Sequence, residues 1–298
     1  PIAVALATAW LRQAGLAVRA CDLAVDRLPA DALDKITLVA VSLPMHTATR
    51  LALPVIAALR RRAPGLPVCA FGLYAPLNEE RLREAGVGLI LGPECADALV
   101  AAARAAIAPE AVIPGPPAVA ASPARVSAVA PDRSELPSLD RYARVVWPDG
   151  REGVVGATES TRGCKHRCRH CPIVPVYDGR FVAVPVDTVL ADIRGQVAQG
   201  ATHITFADPD FFNGPTHARR IVTAMHREWP GLTYDATIKV EHLRAADALL
   251  PRLVETGCAF VTTAVESLDD RVLALLEKGH TRADVEAVVA RCQGLGLA

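Results

Sequence analysis

No charge of one sign dominates this sequence. Its 32 lysines and arginines balance 32 aspartates and glutamates, so no global field directs the chain to nucleic acid or to an acidic membrane surface. Long apolar runs are missing as well. The longest stretches, Pro1 to Trp10 and Val100 to Ile107, are alanine-rich and fall well short of the ~20 residues that span a bilayer. No basic leader precedes the first of them and no cleavage pattern follows it. Together these absences predict a cytoplasmic protein with neither a membrane nor a nucleic-acid partner. Position 1 is proline rather than methionine, so an upstream piece is expected.

What is present is apolar material for packed cores: 51% of the 298 residues, enough length for two ordinary domains. Eight cysteines are also present. Cys21, Cys69, Cys95, Cys258 and Cys292 stand singly in apolar segments and read as buried thiols rather than as a disulfide framework. The other three cluster.

From Pro1 to about Ile107 short β-branched runs alternate with Ala/Leu/Arg-rich stretches, the α/β pattern of a parallel sheet covered by helices. The expected order is a helix over Ile2–Gln13 closed by Gly15, then strands at Ala17–Asp22, Thr37–Ser42, Val68–Gly72 and Gly88–Leu91. Helices at Thr49–Arg62, Glu79–Ala85 and Cys95–Ile107 fill the gaps. This is a small doubly wound domain over residues 1–108. A proline- and alanine-rich linker with no apolar period follows over 109–137.

A second α/β alternation occupies 138–298. Strands are expected at Val154–Ser160, Thr202–Ala207, Thr233–Lys239 and Ala259–Val265. Helices are expected at Asp187–Gln199, Thr216–Trp229, Ala245–Glu255, Asp269–Glu277 and Arg282–Cys292. Four β/α units are visible and Gly294–Ala298 reads as the approach to a fifth strand. A closed barrel needs more, so the C-terminus reads as cut.

The first of these strands runs into TRGCKHRCRHCP, Thr161 to Pro172, where Cys164, Cys168 and Cys171 stand at CxxxCxxC spacing. Three thiolates this close can converge on one soft metal centre and leave one coordination position free for substrate chemistry. Two other readings stay open. One is a structural zinc with His166 or His170 as fourth ligand, although such sites usually draw on separate knuckles and no second CxxC occurs. The other is a cluster used only for electron transfer, which generally takes four cysteines. Arg162, Lys165, Arg167 and Arg169 make the loop basic, either to offset sulfur charge or simply as a solvated surface.

The CxxxCxxC loop after a strand resembles the radical S-adenosylmethionine (SAM) superfamily, and the resemblance covers roughly Val154 to Ala298. GATHITFADPDFF and AVESLDDRVLALLEKGHT are similar to the second and fourth strands of its cobalamin-domain class, and the doubly wound domain upstream fits that class. SLPMHTATR, FGLYAPLN, RGCKHRCRHCP and DPDFFNGP resemble the radical SAM proteins named for a CUAEP/CCAEP tail. One branch similar to these is associated with transfer of a 3-amino-3-carboxypropyl group from SAM.

The resemblance implies an N-terminal Rossmann-like domain of cobalamin-binding type lacking its first strand, then a truncated partial (β/α) barrel. It implies a 4Fe-4S cluster on Cys164, Cys168 and Cys171, SAM on the fourth iron, a small-molecule substrate and an electron donor such as flavodoxin or ferredoxin. The DxHxxG cobalamin motif is not seen. With Gly15 matched to the glycine closing that domain's first helix, the ligand histidine would fall just before Pro1 and Ala3 stands where the motif glycine belongs, so cobalamin stays open as a further cofactor while base-on binding is disfavoured. The position before the third cysteine is usually aromatic in the family; here it is His170, which would stack near adenine.

In a parallel barrel the strand C-termini meet at one mouth. Asp208 and Asp210 follow the second strand, where the family binds the SAM amino group; the alternative is that they shape the turn before the next helix. Lys239, with Glu241, ends the third strand and would meet the SAM carboxylate or else solvent. Glu266 ends the fourth and would accept from the ribose hydroxyls or serve as a first-turn charge. Ser267 with Asp270, and Thr281 with Asp284, have capping-box spacing, and Gly279 reads as a helix C-cap. His46 lies where doubly wound domains meet ligands, or is a solvated loop histidine. No catalytic acid, base or nucleophile is assignable. The alternative function is a zinc- or cluster-stabilised module without SAM chemistry. A barrel cut short would expose apolar edges, so this stretch alone is expected to be poorly soluble or inactive.

Overall fold

The computed structural model describes residues 1–29, 31–108 and 129–298; the first twenty residues of the expected linker, 109–128, lie outside the described residues. The chain divides into two compact units, Pro1–Pro137 and Ser138–Ala298. No helix among the described residues is long and apolar enough to cross a membrane.

The first unit is built on three parallel strands, β1 (Val39–Ser42), β2 (Val68–Phe71) and β3 (Leu89–Leu91), in that spatial order. All four residues of β2 are buried, as a central strand covered on both faces requires. Alternation divides them: Cys69 and Phe71 pack with Trp10 of the helix Ile2–Gln13 and Leu99 of the helix Ala96–Ile107. Val68 and Ala70 pack with Ile56 of the helix His46–Arg62.

The strand expected at Ala17–Asp22 does not form. Among the described residues that segment pairs with no strand, and side chains meet two of its backbone groups instead: Glu135 Oε2 accepts from the Ala20 N–H at 2.8 Å and Arg12 donates to the Val18 carbonyl at 3.4 Å. Arg12 also bonds Asp132 at 2.7 Å, and Asp132 N–H donates to Ala5 O at 3.0 Å. The end of the expected linker is therefore docked on the first helix. His46 is exposed and is the first residue of its helix.

The second unit holds a curled half-barrel sheet of five strands. These are β4 (Arg144–Val146), β5 (Glu152–Thr158), β8 (His203–Phe206), β9 (Thr233–Thr237) and β10 (Cys258–Thr262), once the hairpin of β6 (Thr161–Gly163) and β7 (Phe181–Ala183) is numbered in chain order. The spatial order is β10-β9-β8-β5-β4, with only β4 antiparallel to its neighbour. Ala298 O accepts from Val261 N–H at 2.8 Å beside β10.

Strand alternation sends Ile204, Phe206, Tyr234 and Ala236 into the core, where they meet Ile193 of the helix Val186–Val197 and Ile221 and Met225 of the helix Pro215–Glu228. The opposite face is polar: His203 bonds Asp235 at 2.9 Å and Thr233 at 2.8 Å, and Thr205 bonds Asp235 at 2.6 Å.

One buried side chain fastens β5 to the helical layer. Gln196 accepts from Ala157 N–H at 2.8 Å and donates to Ala157 O at 3.2 Å. A Cβ at Gly156 would stand 2.7 Å from Gln196 Oε1, so only glycine lets the amide reach the strand there. Because Thr158 lies opposite Phe206, Phe206 opposite Ala236 and Thr262 opposite Thr237, the segments after β5, β8, β9 and β10 emerge at one end of the sheet. All the barrel candidates are collected there.

Candidate active site

The β6–β7 hairpin closes the loop that carries the three cysteines. Gly163, the residue before Cys164, has φ +79°, and a Cβ on it would lie 2.4 Å from Tyr177 and 2.6 Å from the Arg180 carbonyl. The position therefore requires glycine for both its conformation and its space. Cys168 is buried, Cys164 and Cys171 are half-buried, and all three are free thiols. Cys171 N–H donates to Cys168 O at 3.1 Å, a tight turn between two of them. Burial pushes the Cys164 thiol up to about 11, with the charges of Asp210, Cys171 and Cys168 adding to it and the His166 N–H opposing. A thiol held protonated in this way gives up its proton when a metal binds.

The segment after β8 is a cradle for this loop. Asp208 is fully buried and accepts four hydrogen bonds: Ser160 N–H at 2.9 Å, Ser160 Oγ at 2.6 Å, Thr161 N–H at 2.6 Å and Thr161 Oγ1 at 2.6 Å. Burial raises its carboxyl to about 6 even against these donors. Asn213 donates to Gly163 O at 3.0 Å and accepts from Lys165 N–H at 3.2 Å, gripping the loop on either side of Cys164. Asp210 accepts from Phe212 N–H at 3.0 Å, capping a short 3-10 turn, and its other oxygen lies 2.6 Å from His242 Nδ1, off the hydrogen-bonding direction.

Two of the expected ligand contacts sit differently from the strand-end picture. Lys239 is not the last residue of a strand; β9 stops at Thr237 and Lys239 stands immediately before the helix Val240–Ala245, without a side-chain capping bond. Its ammonium is taken by Glu241 at 2.8 Å and His166 at 3.1 Å. Glu266 lies four residues beyond β10, in the left-handed region at φ +68°, a conformation that non-glycine residues hold only where surroundings impose it. Its carboxylate meets His170 Nε2 at 3.1 Å and buried Lys278 at 3.6 Å. About a third of both the His170 and Glu266 side chains faces solvent, so this pair is open to a ligand while Asp208 is closed.

Ser267 and Asp270 do not form a capping box. Asp269 caps the helix Asp270–Leu275 instead, accepting from Arg271 N–H, and Ser267 Oγ accepts from Asp269 N–H at 3.0 Å. The Thr281–Asp284 box does form at the helix Arg282–Gly294. Gly279 takes φ +74° beyond that short helix, whose C-cap is Leu276.

The loop's arginines are matched locally. Arg167 pairs with Asp178 at 3.3 Å, Arg169 with Glu277 at 2.7 Å and Arg162 faces Glu159 at 3.9 Å. The excess positive charge read from the sequence is thereby largely cancelled. Of the five scattered cysteines, Cys69, Cys95 and Cys258 are buried, while Cys21 and Cys292 are only half-buried. Burial alone carries Cys69 to about 12, and Cys258, also near 12, is pushed there mainly by burial, so these two are inert packing thiols. A cavity of about 620 Å³ lined by Arg219, Arg220, Arg227 and Arg252 shares no residue with the cysteine site.

His166, His242 and Asn213 complete the site, and none of the three is assigned a role at the barrel mouth by sequence reasoning. His166 is visible there only as a fourth zinc ligand. The spacing from Asp208 to Asn213 holds the signal in principle: Asp208 and Asn213 bond the cysteine loop and its entry, and Asp210 lies 3.8 Å from His166 within it.

Residues 158–298 match the model of the Radical SAM superfamily. Among curated proteins the chain is similar to tRNA-2-methylthio-N(6)-dimethylallyladenosine synthase of Pseudoalteromonas atlantica, 25% identical over 52% of this chain and 34% of that protein. The corresponding enzyme of Mannheimia succiniciproducens is 22% identical over 80% of this chain and 48% of its own length. The chain thus spans about a third to a half of these relatives. Among solved structures it is similar to the radical SAM methyltransferase TsrM of Kitasatospora setae with tryptophan and a SAM analogue bound, at 20% identity and TM-score 0.77 over all of this chain and 63% of that one. The cobalamin-dependent radical SAM enzyme OxsB matches at 14% identity and TM-score 0.66, over all of this chain and 46% of that one.

Proposed function

We propose, for a chain whose residues 158–298 are a radical SAM domain, that Cys164, Cys168 and Cys171 hold a 4Fe-4S cluster whose fourth iron is left to SAM. The observation that carries this reading is the bracing of the cysteine loop. The hairpin loop that carries the three thiols is held at its entry and on either side of Cys164 by Asp208 and Asn213 from the neighbouring strand end. The donor set suits the group, because three soft ligands leave one iron open. When bound with SAM, such a cluster supplies the electron that cleaves it reductively to a carbon radical.

The chain's own residues then divide into two tasks. Asp208, with every donor drawn from Ser160 and Thr161, holds the loop and does not reach the ligand. Glu266 and His170, partly exposed and 3.1 Å apart, are the groups offered to SAM, Glu266 as an acceptor for ribose hydroxyls and His170 beside the base. A structural zinc with His166 as its fourth ligand is disfavoured by the same geometry, because both ring nitrogens of His166 are engaged, by His242 and Lys239; His170 meets Glu266 through Nε2 alone. The substrate is a small molecule and the reductant a flavodoxin- or ferredoxin-type protein.

The test is anaerobic reconstitution with iron and sulfide, then dithionite and SAM, with 5′-deoxyadenosine and methylthioadenosine quantified beside a Cys168→Ala control. Deoxyadenosine that vanishes in the control supports the ordinary radical reaction. Methylthioadenosine in its place assigns transfer of the aminocarboxypropyl group. A zinc-loaded protein that yields neither product refutes the enzyme reading.

A further inference from the structure

Between Cys164 and Cys168 the loop sends one imidazole inward, and it enters a row of closely spaced polar side chains from other segments. Asp210 Oδ2 lies 2.6 Å from His242 Nδ1, His242 Nε2 lies 3.0 Å from His166 Nε2, His166 Nδ1 lies 3.1 Å from Lys239 Nζ, and Lys239 Nζ lies 2.8 Å from Glu241 Oε2. Asp210 and His242 are buried, Lys239 and His166 nearly so, and Glu241 reaches solvent with 40% of its side chain.

The protons of this row have a single consistent placement. Lys239 has no acceptor of its own, so His166 Nδ1 must offer a lone pair. His166 then carries its proton on Nε2 and donates to His242 Nε2. His242 in turn carries its proton on Nδ1, on the side of the Asp210 carboxylate, where the 2.6 Å contact is an approach of the two groups off the hydrogen-bonding direction.

Asp210, His166 and His242 also bring three ligand-type atoms within 4.8 Å of one another, which invites a cation. The ammonium argues otherwise. A metal-bound His166 Nε2 would need its proton on Nδ1, where Lys239 already presents a donor. Nor is the row a proton wire, because its inner end, Asp210, is buried and its remaining oxygen is held by Phe212 N–H.

We infer that His166 is a positioning residue: the Asp210–His242–His166–Lys239–Glu241 row pins the stretch between Cys164 and Cys168 and so fixes where two of the three cluster thiolates point. The inference rests on the assignment of those cysteines as iron ligands. It gives Asp210 and Lys239 a role behind the loop instead of against SAM.

The experiment compares His166→Leu, His166→Gln and His242→Leu with the parent after anaerobic reconstitution. The readouts are iron retained under chelator challenge and the electron paramagnetic resonance spectrum of the reduced cluster with and without SAM. Glutamine supplies one acceptor and one donor on the same reach as the imidazole, so His166→Gln is expected to keep the parent spectrum. The two leucine variants are expected to lose cluster affinity about tenfold or more, the scale of outer-shell effects at metal sites, and to show a shifted spectrum. The His166→Leu/His242→Leu double variant is expected to be no worse than either single one, since breaking one link already frees the loop.

Leucine variants with the parent's iron retention and spectrum would overturn the inference. So would iron or zinc retained by a Cys164/Cys168/Cys171→Ala triple variant and lost on adding His242→Leu, which would make the trio a cation site. Thermal unfolding of the cluster-free proteins separates a variant that fails to fold. If the parent itself assembles no cluster, the function reading fails on its own, and non-additivity of the two leucine substitutions in that same unfolding still tests the row.

Discussion

Asp208 is the residue on which the geometry of the loop depends most. Its four donors belong to two consecutive residues at the entry to the cysteine hairpin. Asp208→Asn replaces one acceptor oxygen by a donor that faces other donors. The cost of leaving such buried groups unpaired is about 1–3 kcal/mol, to be read from urea unfolding at neutral pH, together with lower iron retention. The same carboxyl has a pH signature. Burial lifts it from 3.8 to about 6 in the folded protein, so between those values the folded state binds the proton that the unfolded state has released. Stability therefore falls as pH rises from about 4 to about 6, by up to about 3 kcal/mol, and is flat on either side. Asp208→Asn, which does not titrate, is expected to lack that slope; an identical pH profile in both proteins would show that Asp208 is not the group responsible. Gly163→Ala tests the neighbouring constraint. The added methyl meets the Tyr177 ring and the Arg180 carbonyl at a positive φ, so the expected result is loss of cluster binding. Tyr177→Ala is not expected to rescue it, because the backbone carbonyl remains in place.

At the scale of elements, the strong α/β alternation makes most helices and strands legible, and the cysteine hairpin is legible because three thiols at this spacing have few structural uses. What escapes has a common physical cause: long-range side-chain partners decide it. Ala17–Asp22 alternates like a strand, yet Glu135 and Arg12 meet two of its backbone groups. The third strand stops before Lys239 because a helix begins right after that lysine, and Asp208 reads as a ligand contact because its four donors lie nearly fifty residues away. No local pattern records such pairings. The Thr281–Asp284 box, a local signal, does form, whereas the equally local Ser267–Asp270 box gives way to Asp269, one residue nearer the helix. Gln196 is another long-range partner, joining the helix Val186–Val197 to the strand that feeds the site. Gln196→Leu keeps the volume but removes the amide's two bonds to the Ala157 N–H and carbonyl, with an expected cost of about 1–3 kcal/mol in urea unfolding. A neutral result would mean that the strand is held by its neighbours alone.

For the molecule as a whole, the question is what a loaded cluster does to a unit whose loop is already braced. A group that binds only the folded state stabilises it by mass action, by about 2.7 kcal/mol at a hundredfold excess over its dissociation constant. For a domain of this size that corresponds to a rise in melting temperature of about 5–10 °C. The cysteines sit in Ser138–Ala298, so anaerobic calorimetry is expected to show the transition of that unit rising by this amount on reconstitution and falling back when iron is chelated. Cys168→Ala, which removes the most buried of the three thiols, is expected to abolish the rise. Asp208→Asn is expected to reduce it, because a looser loop must be ordered at the expense of binding free energy. A cluster that loads fully without moving the transition would mean that the unfolded chain holds the metal as well as the folded one does, and the bracing of the loop would then contribute to chemistry at the open iron without contributing to affinity.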